Sequence, residues 1–208
     1  VYKRQFRGRE PNENRWNVDM GKMDSWSSRL TLQASRNWLA QASVARIEHP
    51  ETTHADDIVR TTASLHYVRP QARKGDLAAS AIWARNYKSI AKFSTHTFLA
   101  EGVVPIAGKD AITARYEWSQ RDELFEYDHF LSHIIFETTG KRAFDVHAYT
   151  VGYTRTLAKT GYVQSSLGFN TTLYGISREL RPFYVERPVG FTAFVRFRLN
   201  QEENSHVF

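Results

Sequence analysis

Cysteine is absent from the 208 residues, which removes disulfide staples, thiolate nucleophiles and thiolate metal sites in one stroke. No run of 18 apolar residues occurs, so no helix of this chain is apolar enough to cross a membrane. There is no Gly-x-Ser-x-Gly elbow and no phosphate-cradling glycine loop, the usual local marks of a serine hydrolase or a nucleotide site. Acidic residues are outnumbered, 22 against 28 Lys and Arg, giving a net charge of +6 and a pI near 9.6. The basic side chains are scattered over many segments. They are not gathered on one aromatic-laced element, which argues against nucleic acid as a partner. The remaining partners of a basic chain are an anionic surface or anions in a basic channel.

What the chain has in abundance is alternation. In "VGFTAFVRFRLN" one face carries Phe191, Ala193, Val195, Phe197 and Leu199, and the other Thr192, Phe194, Arg196, Arg198 and Asn200. "YVQSSLGFNTTLY", "AITARYEWSQ", "VRTTASLHYV", "WSSRLTLQ" and "WLAQASVA" repeat the pattern, and period two is the mark of a strand with unlike faces. Three more segments, 76–85, 93–102 and 144–155, alternate less cleanly but are rich in Ala, Thr and aromatics. The expectation is nine strands plus a stub at Phe6–Arg9. Most are longer than the globular norm of about 5–6 residues and near the 9–11 of a tilted membrane strand. A mean hydropathy of −0.51 fits either a soluble protein or a barrel whose lipid face hides in alternate residues.

The connections also alternate: short at 35–37, 70–75, 103–110 and 157–161, medium at 86–92, and long at 46–57, 120–143 and 175–188. Outer-membrane barrels alternate short periplasmic turns with longer extracellular loops. Trp26, Trp38, Tyr67, Trp83 and Trp118 fall near the expected strand ends, as aromatic girdle residues do. The competing reading is a soluble antiparallel meander of lipocalin type, with its apolar residues inside.

The stretches "GREPNENRWNVD", "DSWSSRLTLQASRNWLAQAS", "RTTASLHYVRP" and "ERPVGFTAFVRFRL" resemble a family of bacterial outer-membrane β-barrel proteins, porin-like in character. The likeness runs from about Gly8 to Leu199. It covers the C-terminal part of the family's length, which implies N-terminal strands upstream. The resemblance implies an antiparallel up-and-down transmembrane β-barrel integral to the bacterial outer membrane. Its lipid and the barrel-insertion machinery are then partners. It attaches no activity and no catalytic residue. The tail "QEENSHVF" departs from the family pattern, in which the chain stops at or just after its last strand. The codons GTG TAT AAG AGA CAG, which encode Val-Tyr-Lys-Arg-Gln, also end a transposase adapter used in sequencing libraries. Residues 1–5 therefore read as translated adapter, 6–199 as a partial barrel domain, and 200–208 as a polar tail.

If the polar face lines a lumen, its residues are Arg29, Arg60, His66, Arg115, Glu117, Arg196 and Arg198, with Asp145 and His147. Arg exceeds acid there, and a basic lining concentrates anions. The same side chains can instead fill a closed interior as ion-pair ladders, with Arg115 and Glu117 as one rung. "DHFLSHIIFE" spaces His129, His133 and Glu137 as zinc ligands on a helix would be, but it has Phe130 where the metalloprotease motif has Glu. Ser132 beside His133 is no triad, since sequence neighbours do not make base–nucleophile geometry. The expectation is therefore no enzyme, cofactor or metal, but a passive channel for small polar or anionic solutes. The alternatives are a non-conducting barrel acting through its extracellular loops and, third, an outer-membrane hydrolase.

Overall fold

The computed structural model describes residues 1–10, 16, 21–50, 56–70, 75–106, 108–122, 124, 136–160, 162–184 and 187–199. Among them ten strands form one all-antiparallel sheet in sequence order, each strand paired to the next. They are β1 (Tyr2–Phe6), β2 (Ser25–Gln33), β3 (Trp38–Ile47), β4 (Ile58–Arg69), β5 (Leu77–Lys88), β6 (Phe93–Ile106), β7 (Asp110–Arg121), β8 (Phe144–Thr160), β9 (Val163–Ile176) and β10 (Val189–Leu199). The sheet is open, with β1 and β10 at its edges. The nine segments read from period two are all strands. The stub is displaced: β1 lies at Tyr2–Phe6, because Phe6 pairs with Ser25 and the chain leaves the ladder before Gly8. The 200–208 tail, Ser132 and the candidate ligands His129 and His133 lie outside the described residues.

The expected alternation of connection lengths fails at one step. β5 continues to Lys88, three residues past its expected end, so the connection 89–92 is only four residues long. The connection 70–76, expected among the short ones, is longer than that. At the same end as 89–92, connections 48–57, 122–143 and 177–188 keep their length. At the other end, 34–37, 107–109 and 161–162 are tight turns.

The register slips steadily in one direction. One line of paired residues runs Leu32, Ala40, Leu65, Ala81, Ala100, Tyr116, Tyr149, Leu173, Val189. It crosses β2 one residue from its lower end and β10 at its first residue. A slip of about one residue per strand, with strands about 4.8 Å apart and a rise of about 3.3 Å, tilts the strands by roughly 30°. Closing a sheet into a barrel requires such a one-way stagger.

The two faces differ in composition and in enclosure. That same line of residues belongs to an apolar face, which also holds Trp83, Phe98, Trp118, Val151, Tyr153, Phe169, Phe191 and Phe197. Its side chains stand open: Val151 is 62%, Leu167 48% and Phe191 69% exposed. The polar face is the enclosed one, with Thr95, Ser119 and Ser166 at 8%, 3% and 7%. Among the described residues, the buried apolar side chains are Ile58, Phe144 and Leu180 alone. A soluble meander buries its apolar face; here the distribution is inverted.

Candidate functional site

Pairing puts seven of the nine sequence-predicted lining residues on the polar face. Arg29 faces Ser43 across β2–β3, Arg60 faces Asn86, and His66 faces Ser80. Arg115 faces Glu101 and Thr150, Glu117 faces Leu99 and Ala148, Arg196 faces Ser166, and Arg198 faces Gln164. The ladder of alternating residues forces this, because partners across a sheet share a face. Asp145 and His147 are the exceptions. They pair with Gln120 and Trp118 and so lie on the apolar face. There they occupy the upper end of β8, where Asp145 accepts a hydrogen bond from the Trp118 indole N–H at 2.9 Å. His147 Nδ1 lies 3.0 Å from the Tyr116 hydroxyl. A polar residue on the apolar face is tolerated near a strand end, where it reaches water and partners on the neighbouring strand, so charge alone misassigned these two.

The polar face holds two side-chain networks. In the first, Arg115 Nη2 donates to Glu117 Oε2 at 2.7 Å, while its Nη1 lies 3.9 Å from Glu101. Arg121 Nη2 reaches the other Glu117 oxygen at 3.5 Å and its Nε donates to Ser119 at 3.0 Å. Arg115 and Glu117 are thus the rung the sequence suggested, but Glu101 and Arg121 extend it. Neither was legible: Glu101 enters only through the β6–β7 register, and Arg121 lies past the expected end of β7. In the second network, His66 Nδ1 and Nε2 lie 2.9 Å from the hydroxyls of Ser80 and Ser64. Arg60 Nε donates to Asn86 Oδ1 at 2.8 Å. Arg196 lies over the ring of Phe194, 5.3 Å from its centroid.

Between these side chains a polar groove of about 410 Å³ is lined by Arg115, Glu117, Ser119, Arg121, Thr150, Asn170, Thr172 and Tyr174. Over β1–β7, β9 and β10, the face carries Arg4, Arg29, Arg60, Lys88, Arg115, Arg121, Arg196 and Arg198 against Glu101 and Glu117. Lys88 is offset by Asp122 at 3.0 Å. The excess of cations is what concentrates anions at a low-dielectric wall.

The upper end of this face is partly covered. The 3-10 turn Arg178–Leu180, in the connection after β9, drops Leu180 to 1% exposure against Phe144, with Leu124, Val146 and Ile176 around it. Lys141 Nζ donates to Glu179 Oε1 at 2.6 Å and ties this turn to the connection before β8. That hydrogen bond holds the Glu179 carboxyl below its usual pKa. A second knot forms where β1 leaves the sheet. Gly8 N–H donates to Asp24 Oδ1 at 3.0 Å, Ser25 Oγ to Asp24 at 2.9 Å, and Glu48 N–H to Ser25 Oγ at 2.9 Å. A Cβ at position 8 would run into Ser25 Oγ and the Glu48 backbone, so only glycine fits. The Gly8 amide, first, and the Ser25 hydroxyl lower the Asp24 pKa.

Of the five aromatic residues expected at the strand ends, all lie on the apolar face. Trp26 is the second residue of β2, Trp38 the first of β3, Tyr67 the third from the end of β4, and Trp118 the fourth from the end of β7. Trp38 and Tyr67 pack with ring centroids 4.7 Å apart. Trp83 departs from the expectation: it is the seventh of twelve residues in β5, because that strand runs on to Lys88. On β7 the apolar band is bounded by Asp110 and Gln120, ten residues apart. That is about 33 Å along the strand, or about 28 Å along the axis at the tilt above. At the lower boundary Asp110 accepts from the Tyr153 hydroxyl at 2.6 Å and lies 3.7 Å from Arg155.

No group of three or more His, Asp or Glu that could hold a metal occurs among the described residues. The chain matches no family model, and no curated protein or solved structure matches it at a significant level.

Proposed function

We propose that the chain forms part of an outer-membrane β-barrel that conducts small polar or anionic solutes passively across the bacterial outer membrane. The observation that carries the reading is the inversion of burial, with an enclosed polar face and an exposed apolar one. Removing such a face from water is worth about 1.5–3 kcal/mol for each large apolar side chain. Over a dozen side chains that exceeds the whole stability of an ordinary domain, about 5–15 kcal/mol. A lipid phase supplies this burial. The apolar band of about 28 Å on β7 is close to the ~25 Å band of outer-membrane barrels. The one-way stagger supports closure of the strands around the polar face. Solute then moves along the polar groove, and the uncompensated Arg side chains favour anions over cations.

The experiment is planar-bilayer recording on the complete protein, with reversal potentials measured in a salt gradient. Steady conductance with anion preference is expected; absence of conductance overturns the channel.

A second reading has its own observation. Leu180 and its neighbours cover the upper end of the polar face, and the Arg115–Glu117–Arg121 network fills part of its middle. A non-conducting barrel that binds through its long connections is compatible with both features. Deleting the connection 122–143 then abolishes partner binding while leaving the sheet intact.

A further inference from the structure

Arg85, on the apolar face, has no carboxylate beside it among the described residues. Arg85, exposed and two residues above mid-strand Trp83, donates from Nε and Nη2 to Ser94 Oγ at 3.1 and 2.9 Å. It lies 5.6 Å from the centroid of Tyr87. A hydroxyl and a ring leave its charge unbalanced. The guanidinium also borders a small cavity of about 160 Å³ with Val59, Thr61 and Tyr87. Elsewhere on this face Arg46 is paired with Asp57 at 3.1 Å, and Arg155 with Asp110. A lone guanidinium on a surface removed from water is costly unless an anion meets it. Its fork matches phosphate.

The second observation is a recess of about 590 Å³ lower on the same face. Its floor is small side chains of β5–β7, namely Ala79, Ala81, Ala100, Gly102 and Ala114, and its walls are aromatic, Trp38 and Tyr67 on one side and Tyr116 and Tyr149 on the other. Ala81 lies four residues down β5 from Arg85, about 13 Å. Half of a ~30 Å hydrocarbon core is about that depth. We infer that the apolar face holds one anionic lipid at a fixed place, a headgroup phosphate on Arg85 and an acyl chain in the Ala81 recess, with phosphatidylglycerol as the probe lipid. This rests on the membrane reading above, and charge and depth together select a lipid over a soluble anion.

The test uses the full chain inserted into vesicles of phosphatidylcholine with a minor fraction of phosphatidylglycerol, followed by native mass spectrometry of retained lipid. The expected result is one retained phosphatidylglycerol, bound in preference to phosphatidylcholine. Arg85→Gln weakens that preference roughly tenfold, the loss expected for one hydrogen bond between charged groups. Arg85→Lys restores part of it. Ala81→Phe fills the recess and lowers retention of both lipids. Insertion of each variant is checked by its gel shift, so a folding failure is recognised. Unchanged preference in inserted Arg85→Gln overturns the site and leaves the membrane reading standing. Displacement of the lipid by millimolar inorganic phosphate overturns the lipid as occupant. Failure of the unaltered chain to insert overturns both.

Discussion

The ring of Phe194 lies across Gly168, its partner on β9, so closely that a Cβ there would overlap the ring. Arg196 in turn covers the ring. The aromatic side chain shields a strand glycine that has no side chain of its own to pack. Gly168→Val displaces the ring and is expected to destabilise the folded sheet by about 1–3 kcal/mol, the usual cost of overpacking. Urea titration of the lipid-embedded chain measures it. Gly168→Val combined with Phe194→Ala recovers much of the loss if the overlap is its cause.

Glu117 balances two guanidinium groups. Glu117→Gln leaves Arg115 and Arg121 with less negative charge on the polar face. The reversal potential in a salt gradient moves further toward the anion value. No shift on this substitution argues that the network lies off the conducting path.

Adjacent residues on β7 and β8 separate the two faces. Val151 points to the apolar side, while Thr113 lies on the polar side opposite Gly152. Val151→Arg is expected to cost about 2–4 kcal/mol in a bilayer, and Thr113→Arg much less. Equal costs, read from folding yield into vesicles, would contradict the assignment of faces.

Leu180→Ala opens the small cluster over the upper end. A cavity substitution of this kind costs about 2–5 kcal/mol when fully felt. Here the loss falls on the 177–188 connection, which becomes open to protease while the sheet stays folded. Single-channel conductance rises if the turn covers the pore.

The acid behaviour of the two knots has a definite sign. Asp24 and Glu179 both have folded pKa values below their ordinary ones. Their contribution is complete above the unfolded pKa values, about 3.9 for Asp and 4.3 for Glu. It is lost as pH falls through the lower folded values. Hydrogen exchange at the Gly8 amide is therefore protected at pH 6 and loses protection on acidification. Asp24→Ala removes the protection and its pH dependence together.

The strands were legible because a half-apolar sheet writes itself as period two, and "VGFTAFVRFRLN" states both faces of β10 outright. The placement of Arg29, Arg60, His66, Arg115, Glu117, Arg196 and Arg198 on the polar face followed from the same alternation. Register did not follow, since it is set between strands, so Glu101 was missed; Arg121 was missed because β7 was expected to end at Gln120. "FDVHAYTVGYTR" misled because its apolar face begins only at Tyr149, below two polar residues at the strand end. The 86–92 connection was overestimated for a related reason: Asn86, Tyr87 and Lys88 look like loop residues but continue the β5 ladder opposite Thr95, Ser94 and Phe93.

The inversion of burial also bears on the chain before it folds. Each large side chain of the apolar face is separated along the sequence from the next by a residue of the polar face, and the mean hydropathy is −0.51. An extended chain therefore presents no long apolar run to water or to a machine that sorts apolar helices. The water-averse surface comes into being only as strands align side by side. The extended polymer is thus a hydrophilic thread that turns oily as its backbone ladder forms.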